Sequence, residues 1–116
     1  MLRFLGLGMA LLLLADGPAR AHAELERTEP RADSTVSGAP GEVAIWFTQK
    51  LEAAFSSITV RNAAGQRVDA GKARFNGNVM RVPLKPIGAG TYQVDWRVLS
   101  VDTHRTQGRF RFHVRE

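Results

Sequence analysis

The stretch Gly90-Thr-Tyr-Gln-Val-Asp-Trp-Arg-Val-Leu99 decides the fold. Tyr92, Val94, Trp96 and Val98 point one way, and Gln93, Asp95, Arg97 and Leu99 point the other. A period of two marks a strand with one buried face, because successive side chains of extended backbone project from opposite sides. The same alternation recurs on both sides of this stretch. Phe110, Phe112 and Val114 alternate with Arg109, Arg111 and His113. Met80, Val82 and Leu84 form another strand, and Pro83, which has no N–H to donate, places it near an edge or a strand end. Val43, Ile45 and Phe47 alternate with Glu42, Ala44, Trp46 and Thr48. Ile58 and Val60 follow, and Asn62-Ala-Ala-Gly65 reads as a hairpin turn into Gln66–Val68. Gly88-Ala-Gly90 is a further turn. Only Leu51–Phe55 is spaced for a helical turn, through Leu51, Ala54 and Phe55, and the expected role there is a loop that plugs one end of the fold. About six or seven short strands with turn signals every 8–12 residues or so predict an antiparallel β-sandwich, with a small closed barrel as the alternative.

The N-terminus reads differently. Arg3 gives a short positive region and Phe4–Ala15 is apolar apart from two glycines, the pattern of a secretory signal peptide. Asp16, Gly17, Pro18 and Arg20 interrupt it before the roughly 20 apolar residues a membrane span requires. Ala19-Arg20-Ala21 is an A-x-A cleavage box, which makes residues 1–21 the signal and residues 22–116 one domain that begins with His22. A second box, Ala21-His22-Ala23, would leave Glu24 first and discard the histidine.

Cleavage after Ala21 leaves 95 of the 116 residues, enough for one small domain with a single core. The chain has no cysteine. No disulfide is therefore available despite export, and no thiolate metal site can form. Basic residues exceed acidic ones by four after residue 21 and are scattered through the sequence without a run. That pattern argues against nucleic acid as a partner and allows at most a weak attraction to anionic membranes or polysaccharides. A monomer is expected.

The chemistry gathers in Ser100-Val101-Asp102-Thr103-His104. Asp102 and His104 stand two residues apart, which in extended backbone puts carboxylate and imidazole on one face. The segment joins two strands, at an end of the sandwich where loops carry function. By itself D-x-H is weak evidence for a metal and is better explained by an aspartate accepting a hydrogen bond from a loop histidine. A free N-terminal His22 adds an α-amine and a ring Nδ1 that can close a chelate on one ion. Amine, two imidazoles and a carboxylate suit Cu(II), whereas structural zinc prefers a closed tetrahedral cage, so copper is the expected ion. His113 shares a face with Arg109 and Arg111 and reads as a solvated surface residue. Trp46 and Trp96 read as core or half-buried packing. Glu24, Glu26 and Glu29 fit a polar strand edge at least as well as a supporting shell for a metal.

With these residues in view, the sequence resembles the CopC family of exported copper-binding proteins. The resemblance begins at His22-Ala-Glu-Leu25 with Thr28, Pro30 and Ser34, and continues through Val43-Ala-Ile-Trp-Phe47-Thr48, Leu51 and Phe55-Ser56. It is strongest from Gly90 through Trp96-Arg97 and Ser100-x-Asp102-x-His104 to Gly108, Phe112 and Val114. It implies an immunoglobulin-like Greek-key β-sandwich of about seven strands. It implies Cu(II) held by the mature amine, the rings of His22 and His104, and the Asp102 carboxylate. It further implies a periplasmic location and a role in copper resistance or in handover to a membrane copper transporter. Two residues depart from the family pattern. Gln49 occupies a position that is often acidic, and Met80 is the lone methionine after the signal, too few for a thioether Cu(I) site.

Nothing in the sequence resembles a nucleophile with its base, paired acid and base carboxylates, or a phosphate-cradling glycine loop, so a non-enzymatic carrier is expected. The rival from another class is an oxidative copper enzyme built on an N-terminal histidine brace, for which so small a domain offers little substrate platform. A metal-free immunoglobulin-like interaction module is the third reading, favoured if the mature chain starts at Glu24.

Overall fold

The computed structural model describes residues 24–116. They form eight strands: β1 (Leu25–Glu29), β2 (Thr35–Ser37), β3 (Glu42–Phe47), β4 (Ser57–Arg61), β5 (Arg74–Asn76), β6 (Val79–Pro83), β7 (Gly90–Leu99) and β8 (Arg105–Arg115). Two four-stranded sheets result, in the orders β1-β3-β6-β5 and β2-β8-β7-β4. The chain passes between sheets after β1, β2, β3, β4 and β6, which makes the antiparallel sandwich expected from the alternation, in the immunoglobulin-like Greek-key form that the family resemblance implies. Every pairing is antiparallel except that of β2 with β8.

The inward residues of both sheets make one core. Val43, Ile45, Phe47, Val60, Met80, Val82, Val94 and Phe112 are all but inaccessible. Each such apolar side chain contributes about 1.5–3 kcal/mol by leaving water, and this burial stabilises the fold in place of cross-links. Phe47 meets the edge of Trp96 with ring centroids 5.1 Å apart, and Tyr92 stacks on Phe112 at 5.4 Å. The two expected tryptophan roles divide: Trp96 lies in the core, and Trp46 is half-buried beneath the Arg27 guanidinium, 3.8 Å from its ring centre.

Three short strands escaped the alternation, because β2 and β5 have three residues each and β1 is mostly exposed. Gln66–Val68 forms no strand of its own. The Asn62–Gly65 turn does form, with Asn62 Oδ1 accepting from the N–H groups of Ala64 and Gln66, but only an isolated bridge joins Arg61 to Arg67. Leu51–Phe55 also departs from expectation. Leu51 is buried in the core, but the 3-10 helix Ala53–Phe55 turns Phe55 outward, 61% exposed, so only Leu51 of this segment packs into the sandwich. Pro83 ends β6 as expected, although β6 is an interior strand between β3 and β5.

Candidate metal centre

Strands β7 and β8 are paired along their whole length from Gly90 opposite Val114 to Leu99 opposite Arg105, leaving Ser100–His104 as the connection. The backbone closes on itself there. Ser100 donates its N–H to the His104 carbonyl at 3.0 Å, and Thr103 donates its N–H to the Ser100 carbonyl at 2.8 Å. Thr103 has φ 71°, a left-handed conformation uncommon for a β-branched residue. Asp102 and His104 are therefore brought together by a turn, not by extended backbone as the spacing suggested. Asp102 Oδ1 and His104 Nδ1 lie 3.5 Å apart, and both side chains reach solvent, the imidazole more than the carboxylate.

Ser100 has a role that sequence reading left unassigned. Its side chain is fully buried, and its hydroxyl donates to Asp102 Oδ1 and lies 3.3 Å from the His104 carbonyl oxygen. The Ser100 hydrogen bond holds the Asp102 carboxyl below its ordinary pKa, outweighing the opposing effect of desolvation, with the neighbouring His104 adding to it. The carboxylate is thus fixed in position and ionised. The motif's distal glycine has an equally local reason. A Cβ on Gly108 would stand 2.5 Å from Cζ2 of Trp96, its cross-strand partner, so only glycine admits the indole.

The segment before the 3-10 helix links this turn to the start of β1. Glu24 donates its N–H to Thr48 Oγ1 at 3.0 Å and accepts from the Thr48 N–H at 2.9 Å. Two residues on, the Lys50 carbonyl accepts from the Val101 N–H at 3.0 Å, and Leu51 bridges Ser100. Gln49 therefore sits on the short strip between the beginning of the described chain and the Asp102–His104 turn. His22 lies outside the described residues. Among those described, no three metal-ligating side chains come together. His113 is some eight residues further along β8 from the turn, half-buried, with Nδ1 2.9 Å from Thr91 Oγ1. Met80 is wholly buried in the core.

The residues from Leu25 to Arg115 match the family model described as the CopC domain. The chain belongs to the CopC family. It is 35% identical over 107 residues to copper resistance protein C of Escherichia coli, covering 84% of each chain. Its fold matches the crystal structure of CopC from Methylosinus trichosporium OB3b with a TM-score of 0.76 at 29% identity, over 81% of this chain and 94% of that one. It matches PcoC, a methionine-rich copper resistance protein from Escherichia coli, with a TM-score of 0.72 at 33% identity, over 82% of this chain and all of that one.

Proposed function

We propose that this CopC-family protein is an exported, non-catalytic carrier of one Cu(II), held by the α-amine and ring of an N-terminal His22 together with Asp102 and His104. One observation carries the reading: the Thr48–Leu51 strip is hydrogen-bonded to Glu24 at one end and paired with Ser100 and Val101, which lead into the Asp102–His104 turn, at the other. Two residues of extended chain span about 7 Å, so a histidine at position 22 starts within reach of that turn. The pair itself accommodates an ion. Metal–nitrogen and metal–oxygen bonds of about 2.0–2.2 Å, as found for zinc, allow one ion to touch both atoms of a pair 3.5 Å apart. Nitrogen and oxygen donors without sulfur favour Cu(II) over Cu(I), and the burial of Met80 removes the one thioether after residue 21. The copper-related names of the relatives support the same cargo, and with it a periplasmic role in copper resistance or delivery to a membrane transporter.

The deciding experiment compares Cu(II) titrations of residues 22–116 with those of the same chain bearing one extra N-terminal residue. The extension abolishes the amine chelate of His22 and is expected to weaken binding sharply and change the electron paramagnetic resonance spectrum. Equal affinity and identical spectra would overturn the brace. Mass determination of the exported chain would establish whether His22 comes first.

A further inference from the structure

Arginines scattered in the sequence are collected by the fold. Alternation on β8 sends residues 105, 109, 111 and 115 to the outer face of the sheet, and Arg97 of β7 and Arg61 of β4 join them there. Register places Arg61, Gln93 and Arg111 in one cross-strand row. Asp95 is the one acidic residue on the outward positions of these strands, and it pairs with Arg109 at 2.7 Å. This face carries a surplus of five positive charges, whereas residues 24–116 as a whole have 14 basic and 10 acidic side chains, a surplus of four. The rest of the described surface is thus close to neutral. On the opposite sheet the Glu42 carboxylate meets both Arg74 and Arg81, and Arg27 lies over Trp46.

We infer that the arginine-rich outer face of β4, β7 and β8 docks this protein flat on an anionic phospholipid surface. Charge complementarity specifies a negative partner, and the texture of the face selects lipid. Along the 11 residues of β8 the arginines are spread over about 34 Å. No Phe, Tyr or Trp stands among the outward positions, and the one imidazole there, His113, is half-buried against Thr91, so the face lacks the stacking platform of a single-stranded nucleic-acid site and the desolvated Trp or Tyr anchor of a protein hot spot. Dispersed guanidiniums with intervening Gln, Thr and Ser suit laterally mobile phosphate headgroups. Phe55 supplies an apolar contact at the border, where it lines a depression with Arg97 and Arg105. The inference is independent of the metal, although face-down docking also holds the Ser100–His104 turn at the edge of the membrane.

The test is co-sedimentation of residues 22–116, which contain every strand and the whole core of the described residues, with vesicles of phosphatidylcholine alone or mixed with phosphatidylglycerol. Binding is expected only to the mixed vesicles and is expected to vanish at high salt. Each basic residue near an anionic bilayer is worth roughly fivefold in partitioning, so Arg97→Gln with Arg111→Gln should weaken binding about 25-fold. Lys72→Gln with Lys85→Gln removes the same charge from elsewhere and should leave binding nearly unchanged. All four side chains are exposed, and thermal melts of both variants check that the fold is retained. Equal losses in the two variants, or no preference for phosphatidylglycerol, would overturn the assignment. Retention on immobilised polyglutamate without vesicle binding would replace it with an acidic protein partner.

Discussion

The buried hydroxyl of Ser100 donates to the Asp102 carboxylate, while the Ser100 N–H holds the carbonyl of His104 at 3.0 Å. One inaccessible residue therefore fixes both members of the exposed pair. The arrangement joins packing to chemistry: Ser100 is anchored where β7 leaves the core, and the two side chains it orients reach solvent.

Ser100→Ala isolates that role. Loss of an ordinary hydrogen bond costs about 0.5–1.5 kcal/mol, so the domain should remain folded. The Asp102 carboxyl, no longer stabilised as an anion by the hydroxyl, should titrate at higher pH in carboxyl NMR of the metal-free protein. Copper binding should weaken less than in His104→Ala, which deletes a nitrogen donor outright. An unchanged Asp102 titration would show that the hydroxyl does not hold the carboxylate.

Acid should release Cu(II) through the nitrogen donors. Imidazoles ordinarily titrate near pH 6.5 and α-amines near 7.7–8.0, and each must shed its proton to ligate. The Asp102 carboxyl has its pKa lowered and so stays ionised throughout that range. Affinity is expected to fall as pH drops from about 8 to 5. Competition titrations across this interval measure it, and a flat profile would exclude the proposed donors.

The long strands were legible because alternation survives wherever one face is buried, as at Tyr92–Val98 and Phe110–Val114. β2 and β5 were not, since three residues carry too little pattern. Asp102 and His104 were found by their spacing, but the turn that joins them depends on Thr103 adopting a left-handed backbone, a state its residue type disfavours. The basic face was missed for a different reason. Arg61, Arg97 and Arg111 are far apart in sequence, and only the strand register makes them neighbours.

Asp69 is another group visible only in three dimensions. It is buried, accepts from the Val60 N–H at 2.9 Å, and meets Arg67 at 2.6 Å, tying the segment after the Asn62–Gly65 turn to β4. Burial pushes its pKa up, but the Arg67 and Val60 hydrogen bonds outweigh it and leave the carboxyl below its ordinary value. Its contribution is thus fully present above the unfolded pKa of about 3.9 and is lost as pH falls through the lower folded value. Asp69→Ala should cost about 1–3 kcal/mol at neutral pH by leaving the Val60 N–H unsatisfied. Chemical denaturation at neutral and acid pH should show the gap between variant and native protein narrowing on acidification.

The contact of Trp96 with Gly108 gives the sharpest stability test. Trp96 is 8% exposed and its indole occupies the space a side chain at position 108 would take, with Cζ2 at 2.5 Å and Cε2 at 2.8 Å from that Cβ. The methyl group of Gly108→Ala must displace a large ring already packed edge-on against Phe47. Overpacking of this kind typically costs about 1–3 kcal/mol. For a domain of this size each kcal/mol lowers the melting temperature by roughly 4–8 °C. A smaller ring should relieve the clash, so Gly108→Ala combined with Trp96→Phe is expected to cost less than the sum of the single changes, the coupling expected of residues in contact. Thermal melts of the three variants measure the cycle. Strict additivity would show that the indole does not lie over Gly108, and would remove the physical reason for glycine at that place in the motif.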